Sequence, residues 1–282
     1  MVLAIVQARI NSTRLPGKVL RKIEGKSLIQ ILLYRLSKSK SINKIILAVP
    51  LNKENDQLCT IVENLGFEVF RGSEDDVLER YYYAAKNYNP DTVVRITGDC
   101  PIIDPALVDK VIDFYHKNNV DYVNNTEPPS FPDGLDTEVF SFKTLETAFH
   151  DAKQTFEREH VTPFIRNSKR FKKSYFLNKE DFSGERWTVD EFPDFQLIKN
   201  IIDNFSPSLD FTWLDVIDLK KNKPHIFNIN KKIKRNEGAR MDKGQKLWKR
   251  AKNIIPGGNM LLSKRAENFL PEKWPAYFTK AS

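Results

Sequence analysis

A turn near the start of the chain concentrates side chains that bind phosphate. Residues 7–18 read Gln-Ala-Arg-Ile-Asn-Ser-Thr-Arg-Leu-Pro-Gly-Lys and follow a short apolar run, Val2–Val6. Guanidinium groups pair with phosphate oxygens, an ammonium group adds a compact charge, and Gly17 permits close backbone approach. The pattern is neither G-x-x-x-x-G-K-[ST] nor G-x-G-x-x-G, which argues against ATPases and dehydrogenases. This polyphosphate turn has five candidate binding side chains: Arg9, Ser12, Thr13, Arg14 and Lys18.

A second group of candidate residues follows a later apolar run. Residues 95–104 read Arg-Ile-Thr-Gly-Asp-Cys-Pro-Ile-Ile-Asp, and a predicted strand places Thr97, Gly98 and Asp99 at its carboxyl end. A carboxylate there suits Mg²⁺, which prefers one or two carboxylates together with phosphate oxygens. The alternative is that Asp99 only caps a turn or the following helix. The nearby polyphosphate turn favours the metal-binding interpretation.

A third motif supplies another carboxylate. Residues 186–194 read Arg-Trp-Thr-Val-Asp-Glu-Phe-Pro-Asp. Asp190 follows a β-prone stretch and precedes a helix that begins with proline, so we expect it at a strand end. Asp99 and Asp190 are then able to share one metal ion on a nucleotide. Asp194 has a simpler explanation as a residue at the start of that helix, where the helix dipole favours an acid.

Strands and helices alternate through the first half of the chain and predict how these motifs are positioned. This alternation predicts a three-layer α/β fold, in which a mostly parallel sheet carries helices on both faces. Ligands of such sheets bind beyond the carboxyl ends of the strands, so we expect residues 7–18 and 98–104 to meet. The predicted strands are Val2–Gln7, Lys44–Val49, Phe67–Phe70 and Thr92–Thr97, and the predicted helices are Ser27–Ser39, Glu54–Leu65, Asp76–Asn87 and Pro105–Asn118.

The pattern loosens after about residue 125, and the chain divides into unequal parts. Residues 1–230 are predicted to form the first domain, residues 231–240 a polar and basic linker, and residues 241–282 a separate segment. The further elements predicted in the first domain are a strand, Leu135–Phe140, and three helices, Lys143–Lys153, Glu159–Asn167 and Asp194–Asn204.

Charge and cysteine content limit the possible functions. The net charge is +8, but residues 231–282 carry 14 Lys/Arg against 4 Asp/Glu, whereas residues 1–230 carry 31 against 33. The main body is therefore nearly neutral, and we expect no nucleic-acid partner. Two cysteines are too few for a disulfide framework, and no apolar segment is long enough to span a membrane, so a cytoplasmic location without membrane contact is expected.

The three motifs together resemble the cytidylyltransferases. Q-A-R-x-x-S-T-R-L-P-G-K, R-I-T-G-D-C-P and R-W-T-V-D-x-x-x-D are similar to motifs of the spore coat polysaccharide biosynthesis protein F group, and more distantly of the CMP-KDO and acylneuraminate cytidylyltransferases. The resemblance covers about residues 1–225 and implies a Rossmann-like nucleotide-diphospho-sugar transferase fold. It also implies that Asp99 and Asp190 bind Mg²⁺, that Arg14 and Lys18 bind the triphosphate, and that the base lies near Ala8 and Arg9. Asn11 stands where family members often have glycine, a small departure.

Further segments also resemble parts of this family. Residues 71–80 are expected either to close over the nucleotide or to begin a helix with an acidic first turn. Residues 131–138 and 157–160 resemble segments that face the acceptor, although a lone histidine is more often structural. Arg14 and Lys18 are the predicted catalytic residues. The predicted nucleotide-binding residues are Ala8, Arg9, Ser12, Thr13, Arg14, Lys18, Arg71, Thr97 and Gly98, and the predicted acceptor-binding residues are Asp136, Glu138 and His160.

The basic segment at the end of the chain resembles a different family. Residues 241–258 and 271–281 are similar to the opening segment of class III aminotransferases, of the glutamate-1-semialdehyde aminomutase type. The resemblance implies a truncated or excised piece of a cytidylyltransferase–aminotransferase fusion. The Schiff-base lysine of that family lies well downstream, so no PLP is expected in this chain. A basic disordered tail is the alternative.

The predicted reaction is nucleotidyl transfer from CTP. A hydroxyl of an acidic sugar, or a phosphate of a small alcohol, attacks the α-phosphorus in line, and pyrophosphate leaves. One alternative is a glycosyltransferase that uses a nucleotide-sugar, although Glu74–Asp76 does not form the usual D-x-D motif. Another is a non-catalytic domain that binds CTP. Homodimers are common in related enzymes, so a homodimer is a further expectation.

Overall fold

The apolar run before the polyphosphate turn forms a central strand, β1 (Val2–Gln7), and its first five residues are buried. A strand covered on both faces is apolar on both faces, which explains why polar residues do not alternate along this run. The computed structural model describes residues 1–233 and residue 235. The remaining strands there are β2 (Lys22–Ile23), β3 (Lys26–Ser27), β4 (Lys44–Pro50), β5 (Glu68–Gly72), β6 (Thr92–Thr97), β7 (Tyr122–Asn124), β8 (Glu138–Ser141) and β9 (Lys173–Tyr175).

Seven of the strands described form one sheet in the order β5-β4-β1-β6-β8-β7-β9, and β2 pairs with β3 as a small hairpin. Strands β5, β4, β1 and β6 are parallel to one another. Strand β8 is antiparallel to both β6 and β7, and β7 is parallel to β9. The predicted mostly parallel sheet is confirmed, with one antiparallel strand inserted beside β6.

Local capping explains where several helices begin. Ser27 and Gln30 form a reciprocal capping box at the first helix, as the sequence predicts for Ser27. Asp104 caps the fourth helix with Pro105 at its first position. The helices in the described residues are α1 (Leu28–Leu36), α2 (Asp56–Glu63), α3 (Val77–Lys86), α4 (Pro105–Lys117), α5 (Phe142–Asp151), α6 (Thr155–His160), α7 (Pro163–Asn167), α8 (Phe192–Phe205) and α9 (Trp213–Asn222).

Alternate side chains of the sheet bury two separate cores. Ala4 and Val6 of β1 pack with α1, α2, α4, α8 and α9, whereas Leu3 and Ile5 pack on the opposite face with α3, α5 and α7. Helices therefore cover both faces, and the predicted three-layer arrangement is confirmed. Within residues 1–233, no helix has the length and apolarity needed to cross a membrane.

The structure corrects the prediction of one continuous helix over Glu159–Asn167. Two short helices, α6 and α7, replace it. They are separated at Val161, whose φ of +70° is incompatible with a continuing right-handed helix. Pro163 then begins α7 at a position where proline is tolerated.

Some predictions fall partly or wholly outside the described residues. Residues 1–232 form one compact unit, which contains all of residues 1–230, the predicted first domain. Most of the predicted linker, residues 231–240, and the entire aminotransferase-like segment, residues 241–282, lie outside the described part of the chain. Their assignments stay predictions.

Candidate active site

The carboxyl ends of β1 and β6 pack together with no space for a side chain at Gly98. The Gly98 amide donates a hydrogen bond to the Gln7 carbonyl at 2.8 Å. A methyl group on Gly98 would lie 2.8 Å from the Ala8 Cβ, well inside the roughly 3.5–4.0 Å of a favourable carbon contact. Glycine therefore lets Asp99 follow β6 directly beside the polyphosphate turn. The prediction that residues 7–18 and 98–104 meet is confirmed.

Backbone hydrogen bonds close the polyphosphate turn before Lys18. Gly17 has a φ of +67°, the left-handed conformation that favours glycine. The Gly17 amide donates to the Ile10 carbonyl at 3.0 Å, and the Ile10 amide donates to the Asn55 side chain, also at 3.0 Å. Asn55 is buried just before α2 and holds the turn from outside it. Nothing local in the sequence indicates this role for Asn55.

Lys18 joins the two predicted metal carboxylates. Its ammonium donates to Asp99 Oδ2 at 3.0 Å and to Asp190 Oδ1 at 2.9 Å. The three side chains are 12%, 27% and 17% exposed, so this cluster is largely shielded but still reachable from solvent. Three separate motifs of the sequence therefore supply one compact group of charges.

Opposite charges stabilise the ionised forms in this cluster. Burial by itself would raise the pKa of Asp99, but the Lys18 ammonium and a hydrogen bond from Thr97 hold that pKa at about 2. Burial would lower the pKa of Lys18, but the two carboxylates overcome it and raise the value. Asp99 is therefore a carboxylate and Lys18 a cation at neutral pH.

Arg14 supplies a second cation from the polyphosphate turn. Its guanidinium lies 3.0 Å from Asp190 Oδ1 and 3.9 Å from Glu191 Oε1. Arg14 and Lys18 thus bracket the same oxygen of Asp190.

Arg186 positions Asp190 from the buried side of the cluster. Its guanidinium contacts Asp133 at 2.8 Å, Asp190 at 3.0 Å and Asp194 at 3.0 Å. Asp194 is fully buried and also accepts from the backbone amides of Asp190 and Glu191, both at 3.0 Å. Asp194 occupies the third position of α8 in a capping box, which confirms its predicted helix-start role. Arg186 lies in the third sequence motif, but nothing local in the sequence indicates this role.

Residues 186–190 do not form a strand of the main sheet, contrary to the expectation that Asp190 ends a strand. Arg186 forms an isolated bridge with Asp133, and the Val189 amide donates to the Asp99 carbonyl at 2.8 Å. Gly134 permits this approach, since a Cβ there would lie 2.6 Å from the Thr188 nitrogen. Close backbone packing, rather than a sheet ladder, places Asp190 opposite Asp99.

The other predicted residues of the turn surround this cluster. Arg9 is exposed, and no carboxylate pairs with it among the described residues. Burial and, to a smaller extent, the charge of Arg9 lower the pKa of Arg80 to about 10, so these two cations are close together. Ser12 is half-buried and Thr13 exposed, while the Ala8 amide already donates to the Ala48 carbonyl at 3.2 Å.

Residues 71–80 begin a helix and also bind neighbouring segments. Asp76 caps α3 by accepting from the Glu79 amide at 2.9 Å, which confirms the helix-start interpretation for that residue. Arg71, predicted to bind the nucleotide, lies at the end of β5 and pairs with Asp56 at 2.6 Å. Its guanidinium also donates to the Asn52 carbonyl at 3.0 Å. Its nucleotide role stays a prediction.

Glu138, predicted to face the acceptor, lies in a buried network on β8. It accepts hydrogen bonds from Tyr122 and Arg95, and from the Thr162 hydroxyl at 2.8 Å. Burial would raise the pKa of Glu138, but the Arg95 charge lowers it. Both carboxylate oxygens are thus bound inside the protein.

His160 and Asp136, the other predicted acceptor residues, are both half-buried. The His160 ring packs 4.6 Å from that of Phe156. Burial lowers the pKa of His160 and the nearby charge of Arg95 lowers it further, against an opposing effect of Glu159. Burial and the charges of Asp99 and Asp136 raise the pKa of the Cys100 thiol, so Asp136 is near the end of β6.

The residues of the cluster fit a divalent cation that arrives with a nucleotide. Asp99 and Asp190 direct oxygens at one point, where the Lys18 ammonium now provides a positive charge. No group of three or more His, Cys, Asp or Glu residues suited to a metal occurs within the part of the chain described. Two carboxylates with triphosphate oxygens and water are a ligand set that Mg²⁺ prefers.

The sheet topology and this cluster define a nucleotidyltransferase of the Rossmann-like fold. The sequence model of the cytidylyltransferase family matches residues 3–233. The chain belongs to that family and is a CTP-dependent nucleotidyltransferase, as the sequence motifs predict.

Individual relatives agree with this assignment. The chain is 32% identical over 231 residues to spore coat polysaccharide biosynthesis protein SpsF of Bacillus subtilis, covering 79% of this chain and 95% of that protein. It is 30% identical over 113 residues to a 3-deoxy-manno-octulosonate cytidylyltransferase of Geobacter sulfurreducens, covering 39% and 44%. A solved cytidylyltransferase of Leptospira borgpetersenii superposes with a TM-score of 0.77 at 34% identity, covering 80% and 96%.

Proposed function

We propose that this cytidylyltransferase transfers CMP from CTP to an acidic sugar or a phosphorylated small alcohol, for the synthesis of a surface polysaccharide. The observation that carries the proposal is the convergence of Arg14 and Lys18 on the carboxylate pair Asp99 and Asp190. The similarity to a spore coat polysaccharide protein and to a 3-deoxy-manno-octulosonate cytidylyltransferase supports this acceptor class.

Mg²⁺ is the proposed metal, held by Asp99 and Asp190 together with the triphosphate. When bound, it would neutralise charge on the phosphate oxygens and polarise the α-phosphate. The same two carboxylates hold a cation in the structure, which supports this placement. Arg186 keeps Asp190 oriented toward that point, because its fork also binds Asp133 and Asp194 behind the site.

Arg14 and Lys18 are the proposed catalytic residues, and they act by electrostatics and position. The acceptor oxygen forms a bond to the α-phosphorus while the bond to the β-phosphate oxygen breaks, and pyrophosphate carries the electron pair away. Fixed cations that meet this developing charge stabilise the transition state. No covalent bond to the protein is required.

The rest of the polyphosphate turn is proposed to complete the nucleotide site. Arg9 is exposed beside Arg80, and two cations in proximity favour an anionic ligand. The hydroxyls of Ser12 and Thr13 lie between Arg9 and Arg14 in the sequence. The base is proposed to lie near Ala8 and Arg9, at the strand end where Gly98 packs closely against Ala8. Thr97 supports Asp99 through its hydroxyl.

The half-buried His160 is proposed to contact the acceptor. The charges of Arg95 and Arg166 both act on the half-buried His160 ring. Glu138 is then a positioning residue, because its carboxylate fixes Arg95 and is itself fixed by Tyr122. Asp136, near the end of β6, is proposed to orient an acceptor hydroxyl.

The proposal is tested by following pyrophosphate release with each of the four nucleoside triphosphates and Mg²⁺. Acidic sugars and small phosphorylated alcohols serve as acceptors in the same assay. Turnover with CTP and one member of this panel is the expected result. Transfer of a sugar from a nucleotide-sugar would contradict the proposal. If no acceptor in the panel supports pyrophosphate release, the result would favour a domain that only binds CTP.

A further inference from the structure

The Lys18 ammonium occupies the point at which both carboxylates of the proposed metal site converge. It lies 3.0 Å from Asp99 Oδ2 and 2.9 Å from Asp190 Oδ1. Those are ion-pair distances, whereas carboxylate oxygens approach Mg²⁺ to about 2.0–2.1 Å. A divalent ion bound by both aspartates would therefore take the position of this ammonium, and the two cations exclude each other by space and by charge.

The Lys18 ammonium is also able to reach a triphosphate bound by the polyphosphate turn. Its ammonium is carried on a flexible four-carbon stem that begins at the end of the polyphosphate turn, next to Gly17. Arg14, from the same turn, is already directed at Asp190. A triphosphate bound by this turn offers Lys18 new anionic partners, so that leaving the two aspartates costs little electrostatic energy.

We infer that the Lys18 ammonium holds the divalent-cation position of the free enzyme until a triphosphate draws it away. Metal and nucleotide therefore bind with positive coupling, and the nucleotide-free enzyme binds metal weakly. The ammonium also keeps Asp99 and Asp190 oriented and mutually neutralised before the substrate arrives. This inference rests on the carboxylate metal site of the proposed function. It adds that the Lys18 ammonium competes with the metal for that site and that metal binding depends on the nucleotide.

Mn²⁺ binding to the nucleotide-free enzyme tests the inference by a readout that needs neither acceptor nor turnover. The loss of the free Mn²⁺ electron paramagnetic resonance signal gives the dissociation constant directly. Lys18→Met should bind Mn²⁺ roughly tenfold more tightly than the wild type, within the usual 5- to 150-fold range of site coupling. Lys18→Gln should behave in the same way and provides a polar substitute if the methionine variant folds poorly.

Two controls separate displacement from a general change of charge. Lys22→Met removes the same charge from an exposed lysine outside the cluster and should leave Mn²⁺ binding unchanged. Adding Asp99→Asn to Lys18→Met should remove the gained affinity. Equal Mn²⁺ affinity in the wild type and both Lys18 variants would overturn the inference, as would an equal gain in Lys22→Met. Absence of pyrophosphate release from the acceptor panel would refute the proposed function alone and leave this binding result intact.

Discussion

Arg186 is expected to contribute more to the free energy of unfolding than an arginine in a surface ion pair does. Its guanidinium, 7% exposed, binds three carboxylates: Asp133, Asp190 and Asp194. Arg186→Met leaves these carboxylates without their shared cation in a shielded environment. Removing one partner of a buried ion pair costs about 3–5 kcal/mol, because the remaining charge is desolvated and uncompensated. That is a large part of the roughly 5–15 kcal/mol that stabilises a typical domain.

The assay is urea unfolding at neutral pH, with the free energy of unfolding obtained from the midpoint and slope. Arg186→Lys keeps one positive charge but cannot reach three carboxylates with a fork, so its stability should lie between those of the wild type and Arg186→Met. Arg170→Met is the matched control. It breaks one pair with Asp151 on a side chain that is 63% exposed, and such pairs contribute about 0–1 kcal/mol.

The reasoning would be refuted if Arg186→Met lost less than about 1 kcal/mol, since that is the level of a surface pair. Equal losses in Arg186→Met and Arg170→Met would also refute it. A loss of stability with full activity would show that Arg186 holds the fold but does not position Asp190.

Three further predictions concern the carboxylate cluster. Gly98→Ala should lower both turnover and the free energy of unfolding, by about 1–3 kcal/mol for the latter, since it overpacks the strand ends. Gly184→Ala, where an added Cβ meets nothing within 4 Å, should change neither. Lys18→Ala should lower turnover about 10²-fold or more, and turnover within a few-fold of wild type would remove it from the mechanism. The pKa of Asp99, about 2, is lower than in the unfolded chain, so its contribution to stability is present above about pH 4 and lost as the pH falls toward 2. Lys18→Met should weaken that pH dependence in urea unfolding from pH 5 to 2, and an unchanged profile would contradict the assigned ion pair.

The proximity of Lys18 and Asp99 was predictable because each follows a strand of the parallel sheet. The apolar run Thr92–Thr97 forms β6 with the predicted bounds, and β1 lies parallel beside it. Parallel neighbours end at the same edge of a sheet, so residues that follow them meet whatever the intervening sequence. Asp190 was also expected beside Asp99, but for a different reason, since the segment before it does not join the main sheet and reaches Asp99 through close backbone packing.

Contacts between distant segments were not predictable. Arg186 pairs with Asp133, which is 53 positions earlier, and nothing local in the sequence indicates that pairing. Glu138 lies in an alternating run, but its burial depends on Arg95, which is opposite it in the antiparallel pairing of β6 and β8. A sequence pattern reports which face a residue occupies only when the neighbouring strand is known.

The central claim is that Asp99 and Asp190, from separate motifs, serve one nucleotidyl-transfer site. Its most direct test is pyrophosphate release from CTP by Asp99→Asn and Asp190→Asn, with the acceptor that supports turnover in the wild type. Each variant should lose about 10²-fold or more in turnover, as expected for a group that stabilises the transition state. Asp218→Asn, an exposed acid of α9 paired only with Lys221 among the described contacts, should match the wild type. Turnover within a few-fold of wild type in either cluster variant would contradict the account.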